Sequence, residues 1–450
     1  MLLKRLFWSF YATYHLRGQA SYPFRSQTKI KRDQSRRVRV MVEYAYQNVP
    51  YYRDTMKKIG LYPADFCSVE DLAKLPILER SQIQSDPEYF ISEKQSLDRC
   101  LQLRTSGSTG SPCMIYHDPY AIFKSMAIGY RGLSIIANAV GKKIGYRESF
   151  IGSFISSIDK VQQFRKDHAL FPSGIYINKQ HLSVLESPKN IILQLNSFKP
   201  DVIGSYGSYL EIMFSYLRDT GASFHRPKVI TYGADMLSSP TRKLIEREFK
   251  IPVFSSYRAI EAFAIGFECE HHNGLHLNID FYPVRIVNTE GQHLSTGESG
   301  DVIVSNLINR ATVLLNYRIG DIAHILPKQC ACGRSLPLLS FIEGRTDDLI
   351  ELQSGKIIHP QAVYDIFTEE EQIYQYQVIQ KTVTDFSVAI VASKSSDNRL
   401  TTKRILNKFH QTFGQNVKVD IAFVESIDRT VTGKIRSVIS MKQKPLILFQ

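Results

Sequence analysis

Residues 104–112 read Arg-Thr-Ser-Gly-Ser-Thr-Gly-Ser-Pro, an alternation of hydroxyl side chains and glycines closed by a proline. Glycine lets the backbone come close to an anion, and hydroxyls with free N–H groups bind phosphate oxygens. Thr105, Ser106, Gly107, Ser108, Thr109 and Gly110 are therefore candidate phosphate ligands. The Walker pattern G-x-x-x-x-G-K-[ST] is absent. The segment reads as a phosphate loop of another class or as a flexible surface linker. A second group, Cys269, His276, Cys330 and Cys332, offers three thiolates and an imidazole. Cys330-Ala331-Cys332-Gly333 is tight, its glycine permits a sharp turn, and such a set makes a closed tetrahedral Zn²⁺ site of the structural kind. His271 and His272 are alternative ligands. The plainer alternative is four free buried side chains.

Four further segments carry polar residues in conspicuous settings. Ser256-Tyr257-Arg258-Ala259-Ile260-Glu261 follows a predicted strand. Asn316-Tyr317-Arg318-Ile319-Gly320-Asp321 lies in a β-rich stretch. Gly344-Arg345-Thr346-Asp347-Asp348 stands at a candidate domain junction. Arg429-Thr430-Val431-Thr432-Gly433-Lys434 comes near the end. A single Glu or Lys is usually solvated surface, so each segment alone says little; their order and spacing say more.

The elements that must position these residues change in character along the chain. From about 33 to 90 apolar residues recur at helical spacing, through Val38, Met41, Val42 and Tyr46, until Pro50 ends the run. From about 100 to 330 short β-branched runs, at 201–204, 228–233 and 251–255, alternate with helix-like stretches at 208–220 and 240–249. That alternation predicts α/β layers. After Asp280 the strands crowd, as at 283–287 and 301–305. Beyond Arg345 a smaller α+β unit is expected, with strands at 376–380, 387–392 and 417–423 and a helix at 399–413. The predicted division is an arm over 1–32, a large α/β domain with a β-rich subdomain over 33–345, and a small α+β domain over 346–450.

With 450 residues and 43% hydrophobic content, two or three cores are expected and a disordered chain is excluded. The net charge of +13 attracts anions. Its basic residues are scattered outside the first segment and lack interleaved aromatics, so nucleic acid is not an expected partner. The opening MLLKRLFWSFYATYHLRG has no clean cleavage site, and no window is long and apolar enough to span a bilayer. It reads as a helix packed on the body, or as an interfacial helix with Leu3, Phe7, Trp8 and Phe10 against a membrane and Arg17, Arg25, Lys29 and Lys31 beside it. The six cysteines point to a reducing, cytoplasmic setting, free or on metal. Oligomeric state is not legible.

In order and spacing, these motifs resemble those of the adenylate-forming superfamily of acyl-CoA synthetases, nonribosomal adenylation domains and luciferases. They are most similar to the phenylacetate-CoA ligase branch, which includes the CapK proteins of capsular polysaccharide biosynthesis. The resemblance implies a large domain and a small mobile lid closing on ATP and Mg²⁺. It implies that Ser106 to Gly110 hold the ATP phosphates, that Gly233, Ala234 and Asp235 line the adenine side, and that Tyr257 stacks on or borders the adenine. Glu261 would coordinate Mg²⁺ and Asp321 would accept from both ribose hydroxyls. Arg345 would contact the nucleotide near ribose and phosphate, Asp347 would be the hinge, and Lys434 would swing in with the small domain. Several relatives in the branch also carry Cys and His at the four candidate zinc positions. There are two departures: Cys113 stands where many members have Lys, and Asp235 where Glu is commoner.

The implied reaction joins a small carboxylic acid to AMP, then passes the acyl group to coenzyme A. Gly355 resembles a position bordering the pantetheine channel. An amine acceptor, such as an amino sugar or amino acid, is the alternative on the same scaffold. A nucleotide-binding protein that has lost catalysis is the alternative of another class, against which intact Glu261, Asp321, Arg345 and Lys434 argue. Tyr130, Phe150, Phe154, Tyr206 and Tyr209 are available to line an acid pocket, where they would suit an aryl acid; the alternative is that they are ordinary core.

Overall fold

The computed structural model describes residues 2–105, 113–153, 157–170, 178–358, 360–370, 372–393, 395–430 and 435–440. The chain divides into two compact units that are not contiguous in sequence. One comprises Met1–Ile144, Ile155–Tyr176 and Ser255–Phe341, the other Gly145–Phe154, Ile177–Phe254 and Ile342–Gln450.

In the first unit, helix Gln27–Asn48 buries Ile30, Gln34, Val38, Met41, Val42 and Ala45, one stripe at spacings of three and four. The helix gives way at Val49, whose backbone is extended, and Pro50 opens the next helix, Pro50–Lys58. Pro50 thus starts a helix as well as ending one, because its missing N–H falls where the first turn has no partner. Arg131, on helix Pro119–Val140, is fully buried and grips Asp280 through two hydrogen bonds of 2.7 and 2.9 Å. It also donates to Gln19 at 2.9 Å and stands over the Tyr22 ring at 4.2 Å, so the segment around 19–22 is part of the folded body.

Two antiparallel groups of strands hold the chemistry of this unit. Val284–Val287, Gly300–Val304 and Tyr317–Ala323 run side by side. The end of Val253–Tyr257 pairs with Gly266–Glu268, which pairs with Leu275–Leu277, and that with Leu338–Leu339. A hairpin of Leu101–Arg104 and Met114–His117 flanks residues 106–112, which lie outside the described residues.

The second unit contains parallel strands in the order Asn178–Ser183, Arg147–Gly152, Val202–Ser205, Val229–Tyr232. Helices Pro188–Phe198, Gly207–Thr220 and Ser239–Arg247 pack against them around Ile203, Leu210, Phe214, Ile230 and Ile245. This is the strand–helix alternation expected from the sequence. The last hundred residues build a core of their own. Phe386, Val388 and Ile390 alternate inward along Asp385–Ala392, against Thr401, Ile405, Phe409 and Phe413 of helix Asn398–Phe413. Asp397 caps that helix, accepting from Leu400 N at 3.0 Å. Asp385–Ala392 lies between Lys418–Phe423 and Ile373–Gln380, and Val438–Ile439 pairs with the far side of Ile373–Gln380.

Candidate active site

Thr105 follows the first strand of the hairpin, Leu101–Arg104, and is tied back to Cys113. Its N–H donates to Cys113 O at 2.9 Å, and its Oγ1 accepts from Cys113 N at 3.0 Å and from Arg80 Nη2 at 2.5 Å. Ser106, Gly107, Ser108, Thr109 and Gly110 lie outside the described residues, as do Lys434 and Phe154. Cys113 is buried. Burial, then the nearby Glu261 carboxylate, pushes its thiol up to about 11, so it stays a neutral thiol.

Glu261 is only 7% exposed. Its backbone carbonyl accepts from Asn306 Nδ2 at 2.8 Å and its Oε1 from the Tyr317 hydroxyl at 3.3 Å. Burial and Glu261 hold the Tyr317 phenol well above its ordinary range, so it stays a donor. Four residues before Glu261, the Tyr257 hydroxyl donates to Asp321 Oδ2 at 2.8 Å. Tyr317 and Asp321 lie on the same strand, Tyr317–Ala323, two pleats apart. Within the first unit, Tyr257 is thus bonded to Asp321 and Tyr317 to Glu261, while Thr105 is bonded to Cys113 and Arg80. No sequence signal had marked Arg80 or Asn306, and Tyr317 was marked only by its closeness to Asp321.

Gly233, Ala234 and Asp235 belong to the second unit. Ala234 sits at φ +71, in the left-handed region that costs an L side chain about 1 kcal/mol or more. The distortion turns Asp235 onto the start of helix Gly207–Thr220, where its carboxylate accepts from Ser208 Oγ at 2.7 Å and Ser208 N at 3.4 Å. A negative group there complements the helix dipole. Gly207 makes the approach feasible, since a Cβ on it would lie 2.0 Å from Met236 O. Arg429 Nη1 donates to the same Ser208 Oγ at 3.3 Å, and its guanidinium lies 5.4 Å from the Tyr209 ring centroid. Beyond Lys434, Arg436 pairs with buried Asp348, and its carbonyl accepts from Gln377 Nε2 at 3.0 Å. Residues 431–434 thus lie between two anchored arginines, of which the sequence motif contains Arg429 and not Arg436. Arg345 is half-buried on extended backbone, and Asp347 falls in the single turn Thr346–Asp348.

Of the aromatics offered for an acid pocket, Phe150 and Tyr206 meet edge to face at 6.4 Å. Tyr209 is a core residue donating to Glu186 O at 3.0 Å, and Tyr130 belongs to the other unit.

The Cys/His quartet does converge. The ligand atoms of Cys269, His276, Cys330 and Cys332 all lie within 4.8 Å of one another. Cys269 Sγ and Cys330 Sγ are 3.6 Å apart and Cys332 Sγ is 3.3 Å from His276 Nε2. Thiolates on one tetrahedral Zn²⁺ stand about 3.8 Å apart, so the spacing fits that ion. His276 Nδ1 faces Leu336 O at 3.4 Å, which leaves Nε2 for a metal. His272 is engaged with Glu268 at 2.8 Å and His271 is exposed; among the alternatives, His276 is the one in place.

Comparison with known proteins places this arrangement. The family model "CapK C-terminal domain" matches residues 350–441. The chain is 22% identical to phenylacetate-coenzyme A ligase of Thermus thermophilus, over 92% of this chain and 97% of that protein. It is 23% identical to protein CapK of Staphylococcus aureus, over 90% and 88%. The solved structure of 2-hydroxyisobutyryl-CoA ligase in the postadenylation state matches with a TM-score of 0.74 at 16% identity, over 94% of this chain and 91% of that one. The fold is that of adenylate-forming CoA ligases, and the class these likenesses define is the AMP-forming acid ligases. Within the class, the likenesses are to the phenylacetate-CoA ligase and CapK branch.

Proposed function

We propose that this protein joins a small carboxylic acid to the α-phosphate of ATP, releases pyrophosphate, and transfers the acyl group from the acyl-adenylate to the thiol of coenzyme A. The observation that carries this reading is that, in one unit, Tyr257 bonds Asp321, Tyr317 bonds Glu261, and Thr105 bonds Cys113. Tyr257 borders the adenine, and Asp321 exchanges its tyrosine partner for the ribose hydroxyls, which a carboxylate accepts through both oxygens. The 106–110 loop holds the phosphates, Gly233 to Asp235 line the adenine side and Arg345 contacts the nucleotide. Mg²⁺ held by Glu261 supplies neutralisation of charge on the phosphate oxygens. A carboxylate approaching a phosphate suffers like-charge repulsion, so positioning and positive charge dominate the catalysis. Lys434 supplies that charge for adenylation. With residues 346–450 as the lid and Asp347 as hinge, Lys434 then withdraws and Gly355 borders the thiol's path. The match of residues 350–441 to the CapK C-terminal domain favours one second reading, an amine acceptor in polysaccharide biosynthesis. The acid itself is an aryl or other small carboxylic acid.

The test is pyrophosphate release with a panel of acids, followed by addition of coenzyme A or amines. Release that depends on one acid class, with thioester appearing only with coenzyme A, supports the reading. Amide in place of thioester moves it to the second acceptor, and no release with any acid despite ATP binding leaves an inactive nucleotide-binding protein. Lys434→Ala is expected to cut release about 10²–10³-fold. The four-ligand cluster holds one structural Zn²⁺ that ties 269–276 to 330–332. Metal analysis is expected to find one zinc per chain, lost in Cys332→Ser together with several degrees of melting temperature.

A further inference from the structure

Helix Leu2–Leu16 is seated on the body by one face. Trp8 stacks on Phe123 with centroids 5.0 Å apart, Ala12 is buried, and Ser9 Oγ donates to Leu170 O at 2.7 Å. Arg5 Nη2 donates to Lys166 O at 3.0 Å and to Ala169 O at 3.2 Å. A helix fixed this way is expected to turn polar side chains outward. Here the opposite stripe is apolar: Leu3 is 82% exposed, Phe10 72%, Tyr14 62%, and Leu6 and Phe7 about half. These positions recur at three and four residues, so they form one continuous outward face that ends at exposed Arg17. Tyr120, from the helix beneath, adds a further exposed ring.

Charge is concentrated in the same part of the chain. Residues 1–40 hold ten Lys and Arg against a single Asp, so they carry most of the net +13 of the whole protein. Lys29, Lys31, Arg32, Arg36 and Arg39 are exposed on helix Gln27–Asn48. Lys124, Arg37 and Arg310 gather beside the helix with Asp118, and Arg37 also pairs with Asp280 at 3.4 Å. Burial, then Arg37 and Arg310, push Lys124 down to about 8, while burial, then Lys124 and Arg37, push His15 down to about 4. Asp118 is already committed to the backbone N–H groups of Ala121 and Arg310, at 3.0 and 2.7 Å.

We propose that the Leu2–Leu16 helix, with the basic face of Gln27–Asn48, docks this protein on an anionic membrane surface. The outward Leu, Phe and Tyr side chains enter the headgroup boundary while the lysines and arginines meet acidic lipid heads. Charge complementarity selects this occupant. A second copy would set one strongly basic segment against another, and a nucleic acid would satisfy the arginines but leave the leucine and phenylalanine stripe in water. Among the described residues no helix is long and apolar enough to cross a membrane, so the contact is interfacial.

The test is flotation of the purified full chain with vesicles of phosphatidylcholine alone, and of phosphatidylcholine with roughly a third phosphatidylglycerol. Binding is expected only to the anionic vesicles and should weaken with salt. Leu3→Glu/Phe10→Glu should lower partitioning about tenfold or more without moving the melting temperature. Arg36→Glu/Arg39→Glu should lower it at least about fivefold per residue. Absence of flotation with both vesicles overturns the proposal. So does binding that the Leu3/Phe10 pair leaves unchanged, or a dimer in sedimentation that the same pair splits while vesicles remain unbound.

Discussion

In the first unit Glu261 and Asp321 each accept from a tyrosyl hydroxyl, Tyr317 at 3.3 Å and Tyr257 at 2.8 Å. In the second unit Asp235 meets a serine at a helix start, and Asp348 meets the guanidinium of Arg436. A phenol is a neutral donor. It orients a carboxylate and leaves its negative charge for a cation or for ribose hydroxyls. A helix terminus or a guanidinium consumes that charge in holding the fold. The acidic residues of the two regions look alike as letters, yet each of one pair meets a phenol while the other pair meets a helix start and a guanidinium.

That contrast can be broken by four substitutions. Glu261→Gln keeps the Tyr317 contact and loses the charge; pyrophosphate release is expected to fall about 10²–10³-fold with an unchanged melting temperature. If turnover survives, Glu261 is not a working carboxylate. Asp348→Ala strands Arg436 in a buried setting, and the urea midpoint should drop by an amount equal to about 2–4 kcal/mol. Full stability with lost turnover would instead move Asp348 among the working residues. Asp235→Ala removes the acceptor at the start of helix Gly207–Thr220 and should cost about 1–2 kcal/mol in the same measurement. The KM for ATP should change little if the role is only to cap.

The smallest effect concerns Glu211, which accepts from Ser238 N at 2.8 Å. Burial raises its carboxyl from 4.5 to about 7, Ser238 opposes the rise and Asp235 adds to it. Across that window the folded chain keeps a proton that the unfolded chain has released, so stability falls as pH climbs from 4.5 to 7 and is level above. Glu211→Gln should match the parent at pH 4 and exceed it at pH 8, by about 1 kcal/mol in denaturation. A parent that is more stable at pH 8 than at pH 5, with no difference from the variant, would remove Glu211 from the committed set.

Much of the second unit was readable from periodicity. Thr401, Ile405 and Phe409 recur every four residues and do face a core, and Phe386, Val388 and Ile390 alternate as a half-buried strand must. The cysteines of the metal-like quartet were readable because 330 and 332 are close in sequence, whereas the choice among His271, His272 and His276 was not. Tyr206 and Tyr209 read equally as pocket or core, and both pack in the core of the second unit.

By itself, the sequence determined which side chains could carry charge, donate or bind a metal, and which short runs would be helix or strand, because those properties depend on residue type and on spacing within a turn or a pleat. Only the tertiary structure decided which carboxylate would face a phenol and which a guanidinium. Tyr317 reaches Glu261 from 56 positions away and Arg429 reaches Ser208 from 221. Such partners are set by how strands and helices stack, and nothing in the local spacing of either residue encodes the other.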